Sequence, residues 1–286
     1  MNFVTSSVEI IPQEFGLMNG FKHVEKAARN CYKSEDKITD TSYKDMIQLL
    51  LDRQHYSPFE HLTIYLKLYR VLNGDCYNEI MTKYAVNPYS VVNVVDGVLY
   101  ITTNYRVILE NDWLNDLAFM CQPEEHHEKR VTVHMICSIG VSREANRHRM
   151  SISEQSTRYC NYSKDKFEGQ ITYVIPQHIY SAVNPELYKN ANELINDAAH
   201  MQEVHEWLLQ LRMTELSYMD LINKYHWTPQ EARGVLPLDT ATSVYYTGTI
   251  SQWKNFFALR TAPGAHPDIR VLAIELEKQF KENNLI

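Results

Sequence analysis

The spacing of apolar residues over 41 to 54 places Tyr43, Met46, Ile47 and Leu50 on one face behind Thr41, which predicts an N-capped helix. After Pro58 the period changes. Leu62, Ile64, Leu66 and Leu68 alternate with Thr63, Tyr65, Lys67 and Tyr69, the pattern of a strand with one buried face. The β-formers on both sides of Asp96-Gly97 over 91 to 104 predict a hairpin, because that dipeptide accepts the positive φ of a type I′ turn. A helix is expected over 105 to 121 and a polar loop over 121 to 129. Strands should follow, one starting near Val131, Val133 and Met135 and another at Ile171 to Ile175. From Pro185 to Tyr225 the leucine spacing calls for one long helix or two consecutive ones. Thr228-Pro229-Gln230-Glu231 opens another helix with a capping box and a proline at its first position. Two final helices are expected near 251 to 260 and 267 to 281. With no repeat, low-complexity tract or linker, 1–286 reads as a single α+β domain, its central, mostly antiparallel sheet packed by helices.

Composition narrows the partners. Of 286 residues, 44% are hydrophobic and 22% charged, enough for a full core. The start MNFVTSSVEI lacks the basic and apolar stretches of a signal peptide, and no segment reaches the length of a membrane span, so a cytoplasmic protein without membrane contact is expected. The net charge of −7 argues against a general nucleic-acid binder, so any anion must be met locally. Five scattered cysteines suit reduced thiols rather than a disulfide frame or a zinc site, and no metal is expected. His126-His127 has metal-like composition but sits in a charged loop, where exposure is the usual fate. The nine glycines form neither GxGxxG nor a P-loop, so a nucleotide would be held by side chains and helix ends.

One stretch departs from this acidic background. Arg143, Arg147, His148, Arg149 and Arg158 fall within sixteen residues, beside Glu154, Gln155, Ser156 and Thr157. Arg143 and Arg147 share a helical face and Arg149 does not, so the helix should end at the Arg-His-Arg triplet and splay its side chains. Guanidinium forks, hydroxyls and a carboxylate make a good inventory for a phosphorylated sugar. On charge alone a solvated basic helix is the ordinary reading, and it is the neighbouring hydroxyls and carboxylate that favour a site. An RNA-binding reading is disfavoured because the 19 tyrosines are dispersed rather than interleaved with the arginines.

The triplet followed by a Ser-x-Arg-Tyr context resembles the signature of flavin-dependent thymidylate synthases, the ThyX family. AARNCY (27 to 32), HYSPFEH (55 to 61), SREANRHR (142 to 149), EQSTRY (154 to 159), EARGVLPLDT (231 to 240) and NFFALRTA (255 to 262) resemble its blocks in order. Three departures stand out. Six residues rather than seven separate Arg149 from Ser156, Glu144 stands where many members have glutamine, and Thr249 and Ser251 stand where many have asparagine and arginine. The region from about 70 to 130 is longer than in minimal members, an apparent insertion of hairpin and helix.

The resemblance implies a ThyX-like catalytic domain that makes dTMP from dUMP, with FAD as cofactor and NADPH and methylenetetrahydrofolate as co-substrates. It implies FAD contacts from Ser57, Arg147, His148, Arg149, Glu154, Thr249, Ser251 and Asn255. Nucleotide contacts would come from Glu144, Arg147, Glu154, Gln155, Ser156, Thr157, Arg158 and Arg233. Arg260 would face the uracil ring as the catalytic group. It also implies a homotetramer whose sites are shared between subunits. Read without the family, Arg233 could simply pair with Glu231 or Asp239, and His55 and His61 could cap a strand and a helix. Arg260, on an aromatic helix, requires either a carboxylate partner or a ligand. Cys160 is expected to be a structural thiol.

Overall fold

A computed structural model describes residues 1–286. In chain order the elements begin with β1 (Asn2–Val4), β2 (Ser7–Ile11), α1 (Leu17–Asn30), α2 (Tyr43–Asp52), β3 (Thr63–Tyr69), α3 (Arg70–Ala85), β4 (Val91–Val95), β5 (Val98–Asn104) and α4 (Tyr105–Glu110). Next come β6 (Arg130–Ser138), α5 (Ile139–Ala145), β7 (Ser151–Glu154), β8 (Thr172–Val174), α6 (Gln177–Ala182), α7 (Ala191–Ala198) and α8 (Gln202–Asn223). The chain ends with α9 (Pro229–Ala232), β9 (Ala241–Thr249), α10 (Ile250–Arg260) and α11 (Pro267–Glu282). The architecture is α+β, and no helix is long and apolar enough to cross a membrane.

The central sheet has the order β2-β6-β9-β7 and is antiparallel throughout. Period-two alternation gives it two unlike faces. Val131, Val133, Met135 and Cys137 of β6, with Val244 and Tyr246 of β9, point into a core closed by Trp253, Phe256 and Phe257 of α10 and Leu276 and Phe280 of α11. Each of these large side chains contributes about 2–3 kcal/mol by leaving water. The opposite face carries Thr132, His134, Ser153, Ser243 and Thr247, and it meets α1 and the 3₁₀ turn Ser57–His61.

A second core surrounds the antiparallel sheet β3-β5-β4 with α1, α2, α3 and α4. The hairpin forms as its sequence predicts, with Asp96 at φ 48° and Gly97 at φ 74°. Gly20 lets α1 press on Leu62, since a Cβ there would sit 1.7 Å from a Leu62 methyl. The third core gathers β1, β8, α7 and α8 around Tyr173 and Tyr218.

The sequence pattern and the structure differ at identifiable points. Strand β3 is buried on both faces rather than one: Ile64, Leu66 and Leu68 enter the second core, while Thr63 and Tyr65 press against β6, where the Tyr65 hydroxyl accepts the Arg130 N–H at 3.0 Å. The helix expected over 105 to 121 breaks after Glu110, turns at Asp112 with φ 58°, and resumes as a 3₁₀ turn at Leu114–Phe119. Trp113 at the break packs on Tyr84. Residues 185 to 225 hold a 3₁₀ turn and two helices, the first capped by Asn190. The capping box at Thr228 forms but supports only one turn of α-helix before a 3₁₀ turn at Arg233–Val235. The apolar spacing does not mark helices α1, α3 and α6 or strands β1, β2, β7 and β9.

Candidate functional site

Strand β6 ends at Ser138, whose hydroxyl accepts the Val141 N–H at 3.2 Å and so caps α5. α5 ends at Ala145, just before the triplet: Asn146–His148 tighten into a 3₁₀ turn and Arg149 takes the left-handed conformation at φ 53°. This lets β7 begin only two residues later, which is how the short spacing to Ser156 is accommodated. Met150 packs beneath the turn, close enough to Gly248 that a Cβ there would lie 2.9 Å from its sulfur.

Beyond Glu154 the chain keeps to the sheet for one more bond, Gln155 N–H to Ser243 O at 2.8 Å, and then turns as the Ser156 N–H meets Cys31 O at 3.0 Å. The side chains of this turn line an open cleft of ≈ 560 Å³ together with Ser142 and Arg143 of α5 and Arg233 of the turn after α9. Of the sequence-predicted nucleotide contacts, Glu154, Gln155, Ser156, Thr157 and Arg233 therefore converge on one space. Arg143, to which the resemblance gives no role, joins them from α5; its place four residues before Arg147 is the available signal.

The Glu154 carboxylate is held by three donors: Ser142 Oγ at 2.7 Å, Thr242 Oγ1 at 3.2 Å and Asn146 Nδ2 at 3.3 Å. Asn146 is itself fixed by the Tyr246 hydroxyl at 2.8 Å. Arg143 and Arg233, by contrast, have no carboxylate partner and are exposed. Arg233 pairs with neither expected partner: Glu231 completes the Thr228 capping box and Asp239 accepts the Trp207 indole N–H. Arg158 lies outside the cleft, bonded to Gln230 at 2.9 Å and stacked over Tyr159.

A second cluster surrounds Arg260. Its Nη1 donates to Glu144 Oε2 at 2.8 Å, its Nη2 to Glu144 O at 2.9 Å and its Nε to His148 Nε2 at 2.9 Å. The carboxylate partner that the aromatic helix demanded is thus Glu144. Since a guanidinium only donates, His148 Nε2 must accept and its proton sits on Nδ1. Burial, and then the neighbouring Arg260 charge, lower the His148 pKa, which keeps this form neutral.

The residues expected around flavin are distributed over both faces of the sheet. Arg147 and Arg149 are exposed at the triplet without carboxylate partners, and Ser251 and Asn255 share the exposed face of α10. Thr249 is spent on capping α10, accepting the Gln252 N–H at 3.1 Å. Ser57 is exposed at the start of the 3₁₀ turn on the opposite face, so one chain does not bring it to α10. His55 is exposed, whereas His61 is fully buried between Thr247 Oγ1 at 2.8 Å and Ser153 Oγ at 3.0 Å, a structural position. Contrary to the expectation of exposure, His127 is buried, wedged against Tyr65 and Tyr100, while His126 stays at the surface. Cys160 is buried and its thiol pKa is pushed up to about 11, chiefly by desolvation, as a structural thiol requires. No group of metal-ligating side chains occurs.

Three comparisons with known proteins bear on this geometry. The family described as "Thymidylate synthase complementing protein" matches residues 114–283, more than half of the chain. Flavin-dependent thymidylate synthases are among its curated relatives. That of Thermosipho melanesiensis is 29% identical over 161 residues, 53% of this chain and 62% of that protein. That of Mycobacterium marinum is 31% identical over 148 residues, 49% and 54% of the two chains. The chain thus spans between half and two thirds of the length of these relatives. Among solved structures, a UMP/dUMP methylase, PolB from Streptomyces cacaoi bound with 5-Br dUMP, aligns with 99% of this chain and 93% of its own at 18% identity and a TM-score of 0.45. The chain belongs to the thymidylate synthase complementing protein family.

Proposed function

We propose that the protein is a flavin-dependent thymidylate synthase that converts dUMP to dTMP, with methylenetetrahydrofolate as one-carbon donor and NADPH-reduced FAD as hydride source. The observation that carries this reading is the convergence of Glu154, Gln155, Ser156, Thr157 and Arg233 with Arg143 on one cleft. Two unpaired guanidiniums and two hydroxyls suit a nucleotide phosphate, and Ile139, Leu236 and Leu238 offer apolar surface to a sugar or base.

The residues at the triplet fit a flavin dinucleotide, because Arg147 and Arg149 present uncompensated charge for its pyrophosphate and Ser251 and Asn255 add polar contacts from α10. When bound there, FAD supplies the hydride that turns a transferred one-carbon unit into a methyl group. The chain's own part is positional and electrostatic. Arg233 and Arg143 hold the phosphate, the fixed Glu154 carboxylate accepts from the nucleotide, and Arg260 stabilises negative charge developing on the uracil ring. Ser57 and α10 lie on opposite faces of the central sheet, which supports a site completed by further copies of the chain in a homotetramer. The 70 to 130 region, which extends the sheet begun by β3 and fills a core shared with α1 and α2, reads as an elaboration on a single catalytic unit spanning 1–286.

The test is direct. Purified protein supplied with FAD, NADPH, methylenetetrahydrofolate and dUMP should form dTMP, and light scattering should give a tetramer. Methylation of UMP with none of dUMP would reassign the substrate to a ribonucleotide. Flavin uptake with turnover of neither would mark a family member that has lost the reaction.

A further inference from the structure

A separate cavity of ≈ 370 Å³ opens where β3 and the segment that runs beside it, Met120 and Cys121 after the 3₁₀ turn Leu114–Phe119, meet the ends of β2 and β6. It therefore lies at the seam between the second core and the central sheet, away from the nucleotide cleft. Eight of its seventeen lining residues are hydrophobic, among them the aromatic Phe15 and Tyr65 with Met120 and Leu285. Arg130 also lines it.

Arg130 is partly buried and forms no ion pair. Its Nη2 donates to Ser151 Oγ at 2.9 Å and its Nη1 makes a longer bond to Thr63 Oγ1 at 3.3 Å. Of its five N–H donors, three have no protein acceptor. The nearby Glu60 carboxylate is committed to Arg106 at 2.6 Å. Desolvation lowers the Arg130 pKa to about 10, so the group stays cationic at neutral pH and still lacks a counter-charge. A cation held in apolar surroundings with unused donors is costly unless an anion completes it.

We propose that this cavity binds a small monoanionic molecule with a flat apolar body, its carboxylate on Arg130 and its body between Phe15, Tyr65 and Met120. One negative charge matches the single partly buried cation of the lining. A dianionic phosphate would carry a second charge into an apolar cavity, since Lys129, the other cation at its edge, is exposed to solvent. A carboxylate can also take two parallel N–H bonds from one guanidinium.

The probe is 2-naphthoate, titrated calorimetrically into the full chain with saturating dUMP and FAD present to block the nucleotide cleft. One molecule should bind per chain, about tenfold or more tighter than neutral 2-naphthylmethanol, and tighter than 2-naphthyl phosphate. Arg130→Met should remove that preference. Phe15→Glu, at an exposed position on the rim, keeps the fold testable should the first variant be unstable; it should weaken naphthoate and favour 2-naphthylmethylammonium. Equal binding of acid and alcohol, stronger binding of the phosphate, unchanged affinity in both variants, or no saturable binding would each overturn the proposal.

Discussion

The two faces of the central sheet use polar side chains in opposite ways. On the face toward α1, His23, Thr132, Thr247, His61 and Ser153 form a continuous hydrogen-bonded chain, with links of 2.9, 2.6, 2.8 and 3.0 Å. All five are buried and each finds its partner within the protein. Around α5 and the triplet, Arg143, Arg147, Arg149 and Arg233 are exposed and paired with no carboxylate. The difference separates polar groups that build the fold from those left for ligands: the first are saturated and the second are not. Arg260 stands between the two, placed by an apolar helix with three of its five N–H donors taken by Glu144 and His148.

The largest expected effect falls on that intermediate case. Replacing Arg260 with alanine should lower kcat for dTMP formation by about 100-fold or more, the scale of losing one preorganised charge-stabilising group. Flavin absorbance should be nearly unchanged, and lysine should restore activity only in part because it lacks the planar fork. Near-normal turnover at saturating dUMP would place Arg260 with the saturated, structural groups. Loss of folding would do the same.

The saturated face makes a prediction about pH. Desolvation holds the His23 pKa down at about 4, and His61 is lowered well below its ordinary value for the same reason. Above the unfolded-state value of about 6.5 both are neutral in folded and unfolded chains, so stability is complete there. As pH falls from about 6.5 toward 4 only the unfolded chain gains these protons, and stability is lost, on the order of 3 kcal/mol from His23 alone. Thermal melts across this range should show a decline that His23→Gln makes shallower. An unchanged slope would mean that the relay opens and protonates without unfolding.

Arg233 tests the unsaturated side. Its replacement by alanine should raise KM for the nucleotide by about 10- to 100-fold, the worth of a charged hydrogen bond of roughly 1.5–3 kcal/mol, with kcat and melting temperature little changed. A fall in melting temperature with unaltered KM would show that the arginine serves the turn after α9 rather than a ligand.

How much of this was legible in the sequence depends on where each interaction is encoded. The Asp96-Gly97 hairpin, the Thr228 capping box and α11 follow from neighbours in the chain and appeared where expected. The Glu154-to-Thr157 turn and Arg233, marked by the family blocks rather than by local spacing, line one cleft within a single chain. Strand β9 is not marked by the sequence pattern although Ser243, Tyr245 and Thr247 alternate with Val244 and Tyr246, because both of its faces are buried and the apolar contrast that marks a strand is weak. The pairing of Arg260 with Glu144 spans 116 positions, and local spacing holds no trace of it. Burial of His127 likewise depends on Tyr65 and Tyr100, which arrive from β3 and β5.

The smallest effect, and the finest probe of the comparison, is Glu144→Gln. The substitution keeps an oxygen acceptor for Arg260 Nη1 and leaves the backbone carbonyl and His148 bonds in place, while removing the opposing charge. Both side chains keep some exposure, so solvent screens the pair and the cost should stay near 1 kcal/mol, about 2 °C in melting temperature for a chain of this size. If Glu144 acts only as a tether, kcat should stay within about threefold of normal, because the geometry that aims Arg260 survives. The uncompensated guanidinium should also push the His148 pKa further down, visible in an NMR titration of that ring. A kcat falling as far as in Arg260→Ala would mean that the carboxylate itself meets the reacting nucleotide. Glu144 would then belong with the groups left open for ligand rather than with those that hold the fold.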